Sequence, residues 1–565
     1  NFGMGGWYPY LGANIGYLCG DTVHSETNVQ VDGVNEIDSM ITDGHYIYMA
    51  SGQDLRIFDA LSMEEVYHRS LTSMSTDDIY RYGYYYGIYL YEGLLIAIYS
   101  DYSYVYHPTR PMFDYWWGYS QSKIVVEVIN VSDLENINIE RTLEFNDAYI
   151  NDSRMIDDQV YLIMTSYSRF YGEEAVTPRY KDSELGDELI QLSYQDVYYF
   201  PDNTQVSSYL LIGQFSVIDD EEIDLNAYLG YAYEVYMNHQ NLYLSAQQYI
   251  YDPDTYRVEY LTNILRFEII DGRLVFRASN QINGFTLNQF SYDEYEGVLR
   301  VATTDFIYHE NGFEITNQLY LLDTTDEYLT EISMLGGLGK PGERIYAVRM
   351  HEGIGYVVTF VQTDPLYKLD LSDPENPEIL GEHYEDGVSD YLHLINEELM
   401  VGVGREAKEQ NGWVNFVGVK VALYDTSDDT PILLRSLFVE GEYSYSPVTY
   451  DHKQFVEYQW NDDYLFAIPV YQYAYGWGEY YLSIFLYQVT EDRDLIEVKE
   501  MRVNQDGYGY YVKALFIGDY IYTISFDEIS RYDMSQDFAK EVYTFEINQS
   551  DGDDTVRSDD TFNNE

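Results

Sequence analysis

The sequence predicts an all-β fold, a single large β-propeller of four-stranded antiparallel blades. Apolar and polar residues alternate in short runs along nearly the whole chain, which is the period of a β-strand. A two-residue polar turn followed by a strand rich in Tyr, Ile, Leu and Val recurs nine times, and a second turn motif follows each copy. Helical periodicity is sparse, with one weak candidate over residues 182–192.

The polar turns mark the blades. Successive turns lie 45 to 83 residues apart, and a polar dipeptide between alternating strands is a hairpin signal. Four-stranded units at this spacing are typical of a propeller, in which stacked blades cover each other's faces. The turns predict nine blades, and the long third step leaves eight as the alternative. They lie at Asp43-Gly44, Glu92-Gly93, Asp157-Asp158, Gln240-Asn241, Glu296-Gly297, Glu352-Gly353, Glu397-Glu398, Asp462-Asp463 and Gly518-Asp519.

The second turn motif begins at a strand end with Asp or a polar homologue and continues to Ser or Thr and then an acid. These side chains are expected to cap their own backbone in Asx and ST turns. Because hard cations prefer several oxygen ligands, the turns are also candidate calcium sites, with solvated turns as the alternative. The pattern requires no cofactor. The candidate calcium ligands are Asp323, Asp326, Asp370, Asp373, Asp425 and Asp428.

Two terminal segments flank the repeats. Residues 1–36 form a Gly- and aromatic-rich arm, residues 37–548 form the propeller, and residues 549–565 form an acidic tail whose composition predicts disorder. A free arm would expose a large apolar surface, so we expect it to pack against its own disc or a neighbouring copy. Cys19 is the single cysteine, which excludes an intrachain disulfide. The candidate assembly residues are Trp7, Tyr8, Tyr10, Tyr17 and Cys19.

Two insertions, 100–123 and 166–207, connect the same pair of strands in the second and third blades. They are therefore expected on one face of the disc. The first insertion carries an aromatic platform that suits stacking on sugars or a protein contact; a loop folded over its own blade is the alternative. The platform residues are Tyr115, Trp116, Trp117 and Tyr119.

The charge balance excludes several partners. Lys and Arg number 31 against 97 Asp and Glu, a formal charge of 31 − 97 = −66. A polyanion without a basic face does not attract nucleic acid or an anionic membrane surface. No apolar run reaches the ~18 residues of a membrane span, so no membrane insertion is expected. The start at Asn1 fits a mature form after signal-peptide removal, and Asn130, Asn151 and Asn548 are glycosylation sequons.

The stretch TNVQVDGVNEIDSMITDGHYIYMASGQDLRIFDA (27–60) resembles the opening of the secreted β-propeller family distantly related to WD40 repeats. A second similar stretch is TPRYKDSELGDELIQLSYQDVYYFPD (177–202), followed by SYLLIGQFSV. The resemblance covers most of residues 27–547. It implies an extracellular or envelope-attached propeller of bacterial or archaeal type, without an established catalytic motif.

The sequence contains no HExxH, Gly-rich phosphate loop or GxSxG motif, and its ten histidines do not pair at metal-ligand spacing. It therefore favours a protein that is not an enzyme. The leading interpretation is an extracellular structural or adhesive propeller that assembles with itself into a filament or surface layer through its arm and aromatic loops. A carbohydrate- or envelope-binding module is the alternative, and a polysaccharide-active hydrolase or lyase is the second alternative.

Overall fold

The described residues form a closed ring of nine antiparallel blades of four strands each, which confirms the predicted all-β propeller and the count of nine blades over eight. Additional short strands extend the sheets of blades 2 and 3 to seven and six strands. The computed structural model describes residues 23–71, 74–75, 79–105, 119–167, 170–171, 174–199, 208–252, 257–309, 312–325, 328–360, 364–410, 413–473, 480–503, 512–525 and 527–545. The helical elements within these ranges are single 3-10 turns.

Each blade takes its four strands from one continuous stretch of chain. The strands of blades 1 to 4 are as follows. Blade 1 has Met40–Thr42, Tyr46–Ser51, Asp54–Asp59 and Glu65–Ser70. Blade 2 has Ile79–Tyr91, Leu94–Val105, Tyr119–Asn130 and Asn138–Asn146. Blade 3 has Ala148–Ile156, Gln159–Tyr167, Ser208–Ser216 and Asp224–Leu229. Blade 4 has Glu234–Met237, Asn241–Asp252, Arg257–Ile270 and Arg273–Asn283.

Blades 5 to 9 repeat the pattern with shorter connections. Blade 5 has Tyr292–Tyr295, Val298–His309, Gly312–Asp323 and Thr330–Leu338. Blade 6 has Arg344–His351, Ile354–Phe360, Asp364–Asp370 and Glu378–Glu385. Blade 7 has Val388–Leu394, Leu399–Gln410, Trp413–Asp425 and Ile432–Glu440. Blade 8 has Val456–Trp460, Asp463–Tyr473, Tyr480–Val489 and Leu495–Val503. Blade 9 has Lys513–Ile517, Tyr520–Ile524, Glu528–Asp533 and Ala539–Thr544.

All nine predicted turns connect the first and second strands of a blade. Two of them are displaced by one residue, because Asn241 and Asp463 already belong to the second strand. Seven of the nine tips, all but those of blades 4 and 7, include left-handed backbone, with φ of 45° at Glu92 and 82° at Gly93. Such turns match the twist of the flanking strands, which explains why Gly and acidic residues recur there.

Apolar clusters between neighbouring blades hold the ring together. The middle strands are buried on both faces, whereas the fourth strands are largely exposed and form the rim. Blade 9 contacts blade 1 through Leu515 and Tyr522 on one side and Met40 and Phe58 on the other. The Tyr522 hydroxyl donates to the Ala60 carbonyl at 2.8 Å. Side-chain packing, with no sheet shared between the two blades in the described chain, therefore closes the ring.

The antiparallel order gives the disc two different faces. The first–second hairpins and third–fourth turns lie at one end of each sheet, here called the turn face. The second–third hairpins and the links between blades lie at the other end, here called the hairpin face. Both long insertions connect second and third strands, so both leave from the hairpin face.

The described part of the second insertion folds back onto the rim. Arg179–Asp182 pairs with the fourth strand of blade 2, and Val197–Tyr199 pairs in parallel with the fourth strand of blade 3. Ile190–Gln191 adds a further short strand. The insertion thus covers exposed sheet edges, which otherwise invite pairing with other chains.

The helix candidate over 182–192 was wrong. A single 3-10 turn at Ser183–Leu185 replaces it, with the Asp182 side chain capping the amide of Glu184. Gly186 follows at φ 97°, a conformation that ends the turn. Strand pairing on both sides prevents the segment from continuing as a helix.

Candidate functional site

The chain's own N-terminal segment fills the axis of the ring. Residues 23–39, here called the axial segment, run past the blades from blade 9 back toward blade 1. At its start the Ser25 amide donates to the Phe516 carbonyl at 2.9 Å, and His24 bridges to Ile517 in blade 9. At its end Asn35–Glu36 pairs with the first strand of blade 3, and Asp38 bridges to Ile88 in blade 2.

Side chains in the middle of the segment reach blades 5 and 7 and the links that precede blades 5 and 8. The Asn28 amide donates to the Tyr391 hydroxyl at 2.8 Å and to the His452 carbonyl at 2.9 Å. The Gln30 amide donates to the carbonyls of Gln289 and Tyr292, both at 3.0 Å. The described part of the arm therefore packs against its own disc; residues 1–22, with Trp7, Tyr8, Tyr10, Tyr17 and Cys19, lie outside the described residues.

Two buried carboxylates anchor the axial segment. Asp38 forms an ion pair with Lys513 of blade 9, and both side chains are 1% exposed. Glu36 faces Arg154 at 4.0 Å and His452 at 3.2 Å. Burial would raise the pKa of Glu36, but the charges of His452 and Arg154 outweigh it and hold that pKa well below its ordinary value. Glu36 is thus ionised and serves as an anchor.

A buried polar chain continues from Asn28 into blades 7 and 8. The Tyr391 hydroxyl contacts Nδ1 of His393 at 3.1 Å, and Nε2 of the same ring contacts Glu457 at 3.1 Å. The Tyr464 hydroxyl donates to Glu457 at 2.7 Å. His393 is only 3% exposed, so its ring is not itself reachable by a substrate and serves to hold Tyr391 and Glu457 in place.

A cavity of about 280 Å³ lies beside the axial segment. Blades 4, 6 and 7 and the links after blades 4 and 7 line it, and 71%-exposed Tyr450 places its mouth on the hairpin face. Two carboxyl groups and several rings line it: Glu234, Asp390, Phe290, Tyr391, Tyr450 and His452.

The two carboxyl groups of this axial cavity differ in their partners. Burial, with a smaller contribution from Asp152, raises the pKa of Glu234 to about 7 against an opposing effect of Arg154. Burial also raises the pKa of Asp390, although Arg405 donates to its two oxygens at 2.9 and 2.7 Å. Neither carboxyl was singled out by the sequence, because three distant blades bring the lining together.

The predicted calcium turns use their oxygens locally. Asp370 accepts the amide and the hydroxyl of Ser372 at 2.9 and 2.6 Å, and Asp323 and Asp425 accept the same pair from Thr325 and Ser427. Asp373 accepts from Glu375 and Asn376.

These turns lie on separate blades, and Asp428 contributes its backbone carbonyl to Lys368. Asp326 lies outside the described residues. No group of three metal-ligating side chains occurs in the described part of the chain. Calcium binding stays a prediction.

The predicted aromatic platform cannot be placed. Tyr115, Trp116 and Trp117 lie outside the described residues, and Tyr119 is described only as the first residue of its strand. The tail 549–565 and Asn548 also lie outside them. Asn130 and Asn151 are described: the Asn130 amide donates to Glu140 at 2.7 Å, and the Asn151 amide donates to the carbonyl of Ala232, in the link to blade 4, at 3.2 Å.

A larger aromatic surface, missed by the sequence analysis, lies on the hairpin face. Its rings occupy the outer ends of the long second–third hairpins and the links between blades, where alternation of buried and exposed residues breaks down. The exposed members are Tyr84, Tyr149, Tyr167, Tyr231, Tyr233, Tyr249, Tyr251, Phe313, Tyr443 and Tyr450. The high Tyr content of the sequence was the available signal.

The turn face is acidic by contrast. Nearly every hairpin tip and third–fourth turn there carries a carboxylate, and few cations lie among them. These acidic residues include Asp43, Glu92, Asp133, Asp157, Asp271, Glu296, Glu352, Glu397, Glu398, Asp462, Asp492 and Asp519. Across the described ranges, no helix has the length and apolar character that crossing a bilayer requires.

Two curated archaeal relatives match part of the chain. An uncharacterized protein of Archaeoglobus fulgidus is 39% identical over 272 residues, which is 48% of this chain and 37% of that protein. An uncharacterized protein of Methanocaldococcus jannaschii is 34% identical over 259 residues, 44% of this chain and 35% of that protein. The matched region thus spans little more than a third of each relative's length.

Solved structures give weaker likenesses. A dihydro-heme d1 dehydrogenase is 12% identical with a TM-score of 0.26, over 59% of this chain and 71% of that one. Drosophila Plexin A in complex with Semaphorin 1b is 6% identical with a TM-score of 0.28, over 68% and 86%. At such scores neither likeness carries an argument. A family model described as "Beta propeller domain" matches residues 24–536, and the chain belongs to this β-propeller family.

Proposed function

We propose that the protein is an extracellular structural or adhesive propeller that assembles with itself into a filament or surface layer. The observation that carries the proposal is the concentration of exposed aromatic side chains on the hairpin face. Tyr233, Tyr249 and Tyr251 are 61%, 73% and 52% exposed there. Tyr is a rigid side chain that combines apolar contact area with a hydrogen-bonding hydroxyl, which suits protein interfaces.

The chemistry of the two faces supports a directional contact. Two turn faces in contact would bring rows of carboxylates together, and a formal charge of −66 strengthens that repulsion. The hairpin face carries exposed rings among its carboxylates, which include Glu259, Glu314, Glu440 and Glu442. An interface that includes the hairpin face is therefore favoured, with added salt or divalent cations lowering the remaining repulsion. The arm, whose first 22 residues lie outside the described chain, is the second proposed contact.

Electron microscopy of material isolated from its source tests the proposal. Regular filaments or sheets support it, and monodisperse particles at high salt and calcium contradict it. The variant pair Tyr233→Ser plus Tyr249→Ser should raise the concentration needed for assembly at least tenfold, since losing buried Tyr contacts costs about 2 kcal/mol or more.

Tyr328→Ser is the matched control for these variants. Tyr328 is 71% exposed but lies on the turn face, in the third–fourth turn of blade 5. The proposal expects this variant to assemble as the natural protein does. If it abolishes assembly while the Tyr233 and Tyr249 variant assembles normally, the hairpin face is not the contact.

A carbohydrate- or envelope-binding module is the second candidate, favoured by the same rings because sugars stack on Tyr and Trp. Binding to isolated envelope glycans that is lost in Trp116→Ala plus Trp117→Ala would support it. A polysaccharide-active hydrolase or lyase has a weaker basis, because the axial segment occupies the channel and the axial cavity has room for roughly one sugar ring at its volume of about 280 Å³.

A further inference from the structure

We propose that the axial cavity is a binding site for a small organic ammonium ion. In this site the carboxylate of Glu234 holds the charged group, and the rings of Phe290, Tyr391 and Tyr450 contact the rest of the molecule. The volume of about 280 Å³ lies at the lower end of ligand cavities, roughly 300–1,000 Å³, and suits a molecule of about a dozen heavy atoms or fewer.

The composition of the lining selects the sign of the ligand charge. Glu234 and Asp390 line the cavity together with the carboxamide residues Asn288 and Gln289, and no Lys or Arg is among its described lining residues. Arg405 already pairs with Asp390 and Glu36 with His452, so Glu234 supplies the uncompensated charge of the lining, which an anion would meet as repulsion. A cation would meet opposite charge and aromatic faces, the combination that recognises ammonium groups.

Among the polar groups of the cavity, the carboxylate of Glu234 is the one that a bound cation would stabilise most. It is mostly buried, and its carboxyl group makes no hydrogen bond to the described residues. The nearest cation, Arg154, already donates to Asp152 at 2.5 Å and to the Ser153 carbonyl at 2.8 Å. A buried carboxylate without a committed partner carries an unfavourable desolvation energy, which a bound cation removes.

The other polar groups of the cavity are held in place. Arg405 fixes both oxygens of Asp390. The Gln289 amide donates to Glu36 at 3.0 Å, and the Phe290 and His452 rings pack edge to face at 4.9 Å. The site is therefore preformed, and binding there costs little side-chain ordering.

Binding should strengthen with pH, because the ammonium ion needs Glu234 ionised. The charged or titratable groups facing Glu234 are Asp152, Arg154 and Tyr292. The cavity adds Asp390 with its partner Arg405, and His452, Tyr391 and Tyr450. With the Glu234 pKa near 7, its ionised fraction falls about tenfold between pH 8 and pH 6. The affinity should fall by about the same factor.

Isothermal titration of the full chain tests the proposal, with choline and glucosamine as cationic probes and glucose as the neutral probe. All runs share one ionic strength, since a strongly acidic protein attracts any cation weakly. Choline keeps its charge at every pH, so we expect it to bind about tenfold more weakly at pH 6 than at pH 8. The amine of glucosamine loses its proton in the same pH range as Glu234, so glucosamine is compared with glucose at pH 7, where glucose should bind at least tenfold more weakly.

The variant Glu234→Gln keeps the side-chain volume and should lose at least tenfold in affinity for both cations. Glu188→Gln, an exposed carboxylate in the second insertion, is the control and should bind as the natural protein does. Tyr450→Ser, at the cavity mouth, is a second variant expected to weaken binding without burying a new group. Equal binding of glucose and glucosamine, unchanged affinity in Glu234→Gln, or no binding of either cation at 10 mM overturns the proposal.

Discussion

Single buried charges decide how tightly the axial segment is held. Asp38 and Lys513 are separated by 475 residues in sequence, yet both are 1% exposed and form one ion pair. Asp38 also accepts from the Thr27 hydroxyl at 2.9 Å and the Ser39 amide at 2.7 Å. Removing one partner of such a pair leaves a buried charge, which costs more than the pair contributes.

Lys513→Met should therefore lower the free energy of unfolding by about 3–5 kcal/mol. Adding Asp38→Asn should restore part of this loss, so the double variant falls well short of the sum of the single ones. Urea unfolding of the four proteins measures this. The exposed pair Arg277–Glu268, 38% and 37% exposed, is the control, and its loss should cost about 1 kcal/mol or less. If the double variant loses as much unfolding free energy as the two single variants together, Asp38 and Lys513 do not form a direct ion pair.

Glu234 gives the natural protein a distinctive pH dependence. Its folded-state pKa of about 7 lies above the ordinary 4.5, so the folded protein binds more protons between these values and loses stability as the pH rises through them. Glu234→Gln should match the natural protein at pH 4 and exceed its free energy of unfolding at pH 8 by up to roughly 3 kcal/mol. Denaturant titrations at both pH values measure this, and a constant difference would contradict the raised pKa.

The strand and turn elements differ in how far the sequence predicts them. Turns such as Asp370 to Asp373 are local, since Asp370 and Asp373 accept hydrogen bonds from residues within three positions in the sequence. Hairpin tips such as Glu92-Gly93 are also local, because two adjacent residues supply the left-handed backbone. The repeat was therefore predictable. The pairing of Arg179–Asp182 with blade 2 joins segments about 40 residues apart, and no local pattern encodes it.

The axial segment and the axial cavity could not be predicted from the sequence, because both depend on contacts between residues that are far apart in the chain. His24 bridges to Ile517 across almost the whole chain, and Glu234 and Asp390 reach one cavity from blades 4 and 7. The sequence analysis predicted that the arm packs against a disc, but placed the candidate contacts in residues 1–22. The polar side chains of residues 24–38 form no recognisable motif in the sequence. They hold the segment through contacts with residues far along the chain, such as Lys513 and Tyr391.

The first strand of blade 2 makes room for the axial segment. Its register shifts between Tyr85 and Gly87, and a Cβ on Gly87 would lie 2.6 Å from the Asp38 carbonyl oxygen. Gly87→Ala should therefore displace the segment and lower the melting temperature by several degrees. Gly336→Ala is the control, because its Cβ would meet only the Met334 sulfur, at 3.7 Å. Equal melting temperatures for the two variants would argue against a tight contact at Gly87.

The whole molecule combines a closed, filled ring with two unlike faces. Nine blades place acidic turns on one side and aromatic hairpins on the other, while the axial segment occupies the centre. Apolar packing and the axial segment fill the centre of the disc, and the turn face is strongly anionic. Within the described chain, the hairpin face is therefore the surface best suited to contact with another copy. The proposed assembly depends on that surface.

Hydroxyl-radical footprinting of assembled and dispersed protein tests this most directly, because it compares individual Tyr side chains in one sample. The account predicts that Tyr233, Tyr249 and Tyr251 react several-fold more slowly in the assembled material, whereas Tyr328 on the turn face reacts at the same rate in both. Protection of Tyr328 with full reactivity of the three hairpin-face tyrosines would contradict it.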